Sequence, residues 1–240
     1  MATYSTLRVK FGLRTALTVM LICAIACAWF SVMAQRAKKQ REAVKAILEL
    51  GGYVEYDYQT NGTMPAWRQW LHSRMGVDFL ADVSSVLFAA TNVDGRIVDL
   101  DKATVGRFSE LPELVVLDLS HTLIDDSSLT HLCNIQSIEE FSPPTGTSDR
   151  DLAKISGMKH LRSLTLINPE ISEACVNIFN EMQNLRILTL INHKLKPATI
   201  SKIERKLPNA EVTEVLVMTP EELGLDIVET LEKFQRNKDE

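Results

Sequence analysis

Neither a C-x-x-C pair nor an H-E-x-x-H or H-x-x-x-H spacing occurs in the 240 residues, and G-x-S-x-G, G-x-G-x-x-G and the glycine-rich phosphate loop are equally absent. The patterns that mark zinc sites, nucleophile elbows and nucleotide cradles are therefore missing. The five histidines, His72, His121, His131, His160 and His193, stand apart without ligand spacing. Asp125 and Asp126 are neighbours, and adjacent residues at a helix start do not face each other as a carboxylate pair would have to. No catalytic, cofactor-binding or metal-binding residue is expected. Cysteine is scarce as well: the four are too few for a disulfide framework, and Cys133 and Cys175, the only pair outside an apolar run, are expected to be small core residues. Residues 51–240 carry 18 Lys/Arg against 29 Asp/Glu, net -11, so the body lacks the basic stripe that displaces counterions from nucleic acid. What is present is ordinary for a folded chain: 45% apolar and 24% charged residues exclude a disordered tail or a polytopic membrane protein.

The charge is divided along the chain. Residues 1–50 hold eight Lys/Arg against two Asp/Glu, net +6, and within them no charged side chain lies between Thr15 and Gln35. The run from Thr15 to Ala34 is 20 residues long, which as a helix spans about 30 Å, the hydrocarbon thickness of a bilayer. Arg14 and Arg36 bound it, and Trp29 and Phe30 lie near its second end, where aromatic anchors are favoured. One membrane-spanning helix over residues 15–35 is expected, after a basic tail over 1–14. A cleaved signal peptide is the competing expectation, with Val32, Met33 and Ala34 near a cleavage point, although its apolar region usually runs to about 7 to 15 residues and is shorter than this one. Arg8, Lys10 and Arg14 precede the run while Arg36, Lys38, Lys39, Arg41 and Lys45 follow it. That balance tilts towards a cytoplasmic body, but a short basic tail also suits an anchor that exports the body, and both sides stay open.

Residues 36–82 read as a juxtamembrane helix and an N-terminal capping module. Ala43, Val44, Ile47, Leu48 and Leu50 follow helical spacing and stop at Gly51 and Gly52. YVEYDY, residues 53–58, alternates as a short strand, and Asn61-Gly62 makes a turn. Pro65 opens a second helical stretch whose Trp67, Trp70 and Leu71 share a face that covers the end of the core. Asn61-Gly62-Thr63 fits the N-glycosylation pattern, which has meaning only in a eukaryotic secretory pathway.

From residue 83 to 218 a pattern repeats. Starting at Leu114, apolar residues fall at offsets 3, 5, 10, 15 and 18: Leu117, Leu119, Ile124, Leu129 and Leu132. The same offsets recur from Leu161 and from Leu185. Weaker units are placed at Val83, Ile135 and Ala210, giving intervals of 31, 21, 26, 24 and 25 residues, the longest with a seven-residue insertion. Offsets 3 and 5 alternate along a strand and point inwards, while 15 and 18 share one face of a convex helical turn. Asp125, Ser148 with Asp151, Ser172 and Pro197 are the expected convex helix starts. Residues 219–240, opening on Thr219, Pro220 and Glu222 and carrying Leu223, Ile227, Val228 and Leu231, are expected to form a C-terminal capping helix. The fold class is α/β: a solenoid with a parallel concave sheet and short convex helices, which needs caps because no unit buries its apolar face alone.

LDLSHTLIDDSSLTHL resembles the bacterial leucine-rich repeats of the form L-x-L-S-x-T-x-I-x-D-x-x-L, with Thr122 where many repeats carry asparagine. The order of features over residues 15–218 is similar to that of short membrane-anchored leucine-rich-repeat proteins of planctomycete-type bacteria. The resemblance implies an interaction module with no catalytic residues; Glu140, Pro143 and Pro144 depart from the pattern. In the register assigned here, offset 6 presents Phe141, Ile167, Ile191 and Leu216 as an apolar stripe on the concave face, and offset 4 presents Asp118, Glu139 and Glu214 beside it. A protein or peptide partner with apolar anchors and a basic rim is the expected ligand. Residues 15–35 meet the lipid bilayer, and no nucleic acid is expected. The competing expectation is a structural envelope component that self-associates through its membrane helix or stalk.

Overall fold

The computed structural model describes residues 13–58, 81–88 and 97–216, with side chains from Ala16 onwards. The expected tryptophan-bearing helix, the Asn61 acceptor and the C-terminal capping helix lie outside the described residues. The chain opens with one helix, α1, Leu13–Glu49. No glycine or proline occurs between Leu13 and Leu50, so the change from apolar to charged side chains at Arg36 does not interrupt the backbone ladder. The expected membrane helix and juxtamembrane helix are thus a single element. Its side chains are exposed from Leu17 to Val32, whereas Ala37, Gln40, Ala43, Val44 and Ile47 are buried at helical spacing against the body.

Helix α1 ends in a Schellman turn. The Gly52 N–H donates to Ile47 O at 2.9 Å, the Gly51 N–H to Leu48 O at 3.0 Å, and Gly51 sits at φ 79°. A Cβ on Gly52 would stand 2.6 Å from the Ile47 Cγ2 and 2.9 Å from the Phe88 Cε1, so this close packing requires glycine.

After the turn, strand β1 (Tyr53–Tyr56) pairs antiparallel with β2 (Val83–Leu87), and everything beyond is parallel. The seven-stranded sheet runs β1, β2, β4 (Val116–Asp118), β6 (Glu140–Ser142), β7 (Ser163–Ile167), β8 (Ile187–Ile191) and β9 (Glu211–Val215). A second, two-stranded sheet pairs β3 (Val98–Asp99) with β5 (Thr122–Leu123) along the loops that follow the main strands. Each return passes through a short convex helix: α2 (Lys102–Phe108), α3 (Asp126–Leu132), α4 (Asp149–Ile155), α5 (Cys175–Phe179) and α6 (Pro197–Lys206). Asp101, Asp125 and Ser148 cap α2, α3 and α4, the last as a full capping box with Asp151, and Pro197 opens α6. Ser172 does not cap α5; its hydroxyl accepts from the Ala174 N–H in the preceding turn.

Strand register corrects two repeats. Leu117 pairs with Phe141, not with Ile138, so the third unit starts at 138 instead of 135. The slide of three residues has a plain cause. The expected register would have buried Glu140 at an inward position, an unpaired carboxylate in an apolar core. The observed one places Phe141 and Pro143 inwards and leaves Glu140 exposed. In the last unit Leu188 pairs with Val212, so that strand is one residue earlier than expected. Unit starts then fall at 114, 138, 161, 185 and 209, a near-constant step of 24, 23, 24 and 24 residues. Leucines 117, 119, 164, 166, 188 and 190 are all buried between sheet and helices. Cys133 and Cys175 belong to the same core, and burial pushes both thiols up to about 11.

A candidate interaction face on the concave sheet

The corrected register redistributes the expected binding residues. Phe141 is 2% exposed and belongs to the core, so it cannot offer a side chain to a partner. Glu139 and Glu214 leave the outward row as well. Glu139 precedes β6, and its Oε2 meets the Arg162 Nε at 3.1 Å. Glu214 occupies an inward position of β9, where no following strand covers it among the described residues, and its Oε2 lies 2.8 Å from the His193 Nε2. His193 was not expected to do anything beyond a surface turn. Its Nδ1 accepts from the Leu195 N–H at 3.2 Å, which assigns the Nε2–H as donor to Glu214 and ties the last two repeats together. Asp118 does lie in the outward row, half-buried, and its Oδ1 accepts from the Ser120 N–H at 2.9 Å.

What the sheet presents instead is a ladder. Thr165, Thr189 and Thr213 stand opposite one another in β7, β8 and β9, and beside them run Ile167, Ile191 and Val215 in strict register. Ile187, on the other side of the threonines, is 45% exposed and Val215 is 37% exposed; Leu216, expected in this row, follows Val215 and so leaves it in the corrected register, although its side chain is 72% exposed. β-Branched residues fill these positions because they suit a pleated surface at strand spacing. The C-terminal half of the concave face therefore has one apolar row beside the row of hydroxyls, with Ser163, Ile187 and Glu211 on the other side of the threonines.

The N-terminal half differs in charge. Asp57, Asp82, Ser84, Ser85, Glu113, Val115, Val116 and Glu140 line a groove of about 440 Å³. Burial, followed by the charges of Glu113 and Asp57, raises the Asp82 carboxyl above its usual range, and Arg36 partly offsets this. Because the raised value means that the folded state binds the proton more tightly, this site favours folding most below the unfolded-state pKa and loses that contribution as pH rises through the folded-state pKa. Replacing Asp82 by Asn should raise the melting temperature at neutral pH, with the difference disappearing under acid. Thermal unfolding of both chains over a pH series measures this; a lower melting temperature for the Asn form at pH 7 would contradict it.

Elsewhere, Asp126 is held by Arg150 and Lys154 of the next repeat, and Lys196 meets Glu173 at 3.3 Å. These pairs lie on the rim and convex side and explain surface charge without a ligand. No group of metal-ligating side chains gathers among the described residues.

No family model matches the chain, and no curated protein matches it either. Among solved structures, a leucine-rich-repeat protein of Leptospira interrogans shares 21% identity at a TM-score of 0.33, with 47% of this chain aligned to 27% of that one. The chain thus spans about a quarter of the length of that protein. An internalin C2 of Listeria monocytogenes shares 14% identity at a TM-score of 0.35, over 63% of this chain and 79% of its own. Likeness at this level carries no argument by itself; the repeat architecture rests on the strand register and its 24-residue step.

Proposed function

We propose that the chain is a single-pass membrane-anchored leucine-rich-repeat module, without catalytic activity, that binds a protein or peptide on its concave sheet. The observation that carries this reading is the outward row Ile167, Ile191 and Val215, with Ile187 beyond the threonines, on a face with no cover among the described residues. A contiguous apolar patch on a folded surface tends to mark a site of interaction. The partner that fits has apolar anchors for this half of the face and cationic groups directed towards the acidic groove around Asp82, Glu113 and Glu140. The anchor is α1, whose uncharged run from Thr15 to Ala34, exposed from Leu17 to Val32, is long enough to cross a bilayer.

The double substitution Ile167→Ser, Ile191→Ser tests the face. Capture of the partner by the full chain in detergent should be lost, while the melting temperature stays within a few degrees, since half-exposed strand positions cost little on substitution. A large fall in melting temperature would instead show the stripe to be internal packing, and the binding reading would lose its surface.

A further inference from the structure

The continuity of α1 fixes how the repeats stand relative to the bilayer, an inference that rests on the proposed membrane anchor. Two contacts define the sense of packing. Gln40 donates its Nε2–H to Ala81 O at 2.8 Å, at the start of β2, and Ile47 packs by Gly52 and Phe88, at the end of β2. Strand β2 therefore runs in the same sense as α1, away from the membrane. Strands β4, β6, β7, β8 and β9 are parallel to it, so all of their starting ends lie on the membrane side.

Height follows from helix rise. The apolar run ends at Ala34, and Gln40 comes six residues later, a rise of about 9 Å, a little more than the roughly 5 to 7 Å depth of a headgroup layer. Burial of α1 sets in at Met33 and Ala34, within the last turn of the apolar run, and Ala37 is already 7% exposed. The body thus reaches down to the boundary of the hydrocarbon instead of standing off on a linker. Six strand-to-strand steps of about 4.8 Å carry the array roughly 29 Å sideways from β1 to β9.

We propose that the edge formed by the strand starts and the convex-helix ends rests on lipid headgroups, with the repeat array lying along the membrane and its concave face opening sideways. At the far end of that edge Lys159, Arg205 and Lys206 are exposed beside Glu181, Glu204 and Glu211, a balanced charge, so the contact rests on the geometry of α1 and not on a basic patch. At the near end, Asp82 and Glu113 lie beside the basic stalk of α1, with Arg36 close enough to act on Asp82. Acidic side chains collect on the opposite edge, at Asp101, Asp125, Asp126, Glu170 and Glu173. A partner on the concave face would then be met in the plane of the membrane, by lateral approach.

The test places a photo-activatable diazirine amino acid in the full chain, reconstituted in nanodiscs of phosphatidylcholine and phosphatidylglycerol, with lipid adducts read by mass spectrometry. Gln136 and Gln183 are exposed on the strand-start edge; Thr145 and Lys194 are exposed on the opposite edge; Leu21 sits in the apolar run. Adducts at Gln136 should exceed those at Thr145 several-fold, with Gln183 over Lys194 in the same direction. Equal yields at the two edges, together with strong adducts at Leu21, would overturn the orientation alone. An absence of adducts at Leu21 would overturn the membrane anchor and the orientation with it.

Discussion

Phe141→Ala should destabilise the body by about 3 to 5 kcal/mol, the range for truncating a buried aromatic side chain. For a chain of this size that corresponds to a fall in melting temperature on the order of 10 °C. The ring is 2% exposed and belongs to the continuous core between sheet and helices, so its loss leaves a cavity that the flanking repeats cannot close without giving up their own packing. The neighbouring Glu140→Ala should change stability by no more than about 0.5 kcal/mol, because that side chain points out of the concave face. Thermal unfolding of both variants decides the register of the third repeat. Had Glu140 been the inward residue, removing its carboxylate would stabilise the fold and the Phe141 change would be nearly silent.

The second large effect concerns attachment. Ala24 stands near the middle of the run from Thr15 to Ala34, where an arginine costs about 2.5 to 3.5 kcal/mol on insertion scales. Ala24→Arg should shift the balance between inserted and non-inserted chain by roughly a hundredfold. The carbonate-resistant fraction of the protein should fall sharply, whereas Ala24→Leu should leave it intact. The body ought to fold in either case, since α1 contributes to the core only from Ala37 onwards. A wild-type chain recovered from the soluble fraction with Gln35 as its first residue would show the run to be a cleaved leader and would contradict the anchor.

How far the sequence revealed this architecture depended on the strength of each repeat. The units at Leu114, Leu161 and Leu185 carry six apolar offsets each, and their strands pair in the expected register, with Leu164 opposite Leu188 and Leu166 opposite Leu190. The unit between them was misplaced because its second inward residue is Pro143, which no aliphatic pattern anticipates, and because Ile138 was available as a false match for the first. Its true register shows only when the neighbouring strands are in place and the alternative would bury a carboxylate. The last strand was ambiguous for another reason. Val212 and Val215 both suit an inward position, and with no further strand to cover it among the described residues the structure tolerates Glu214 where an earlier repeat has leucine. That position gives Glu214 its contact with His193, a pairing across two repeats that local sequence could not disclose.

The candidate face was legible in part. Ile167, Ile191 and Asp118 are outward as their spacing implies, whereas Phe141, Leu216, Glu139 and Glu214 belong to the outward rows only in the mistaken registers. The threonine ladder was present in the sequence as the recurring L-T-L-I of residues 164–167 and 188–191. Its meaning as a flat outward row emerged once Thr213 joined it through the corrected register of β9. The fused helix could have been read directly, since nothing from Leu13 to Leu50 breaks a helix. The change in side-chain polarity at Arg36 is not a change in backbone.

The most direct test of a membrane-anchored binding module compares the two faces of the repeats in native membranes. A photo-activatable residue at Thr189, in the centre of the concave ladder, is set against one at Lys202, exposed on the convex α6. A discrete heterologous adduct should form from Thr189, be absent from Lys202, and disappear when Ile167 and Ile191 are both changed to serine. Adducts of equal intensity from both faces, or adducts from Thr189 only with other copies of this chain, would contradict it.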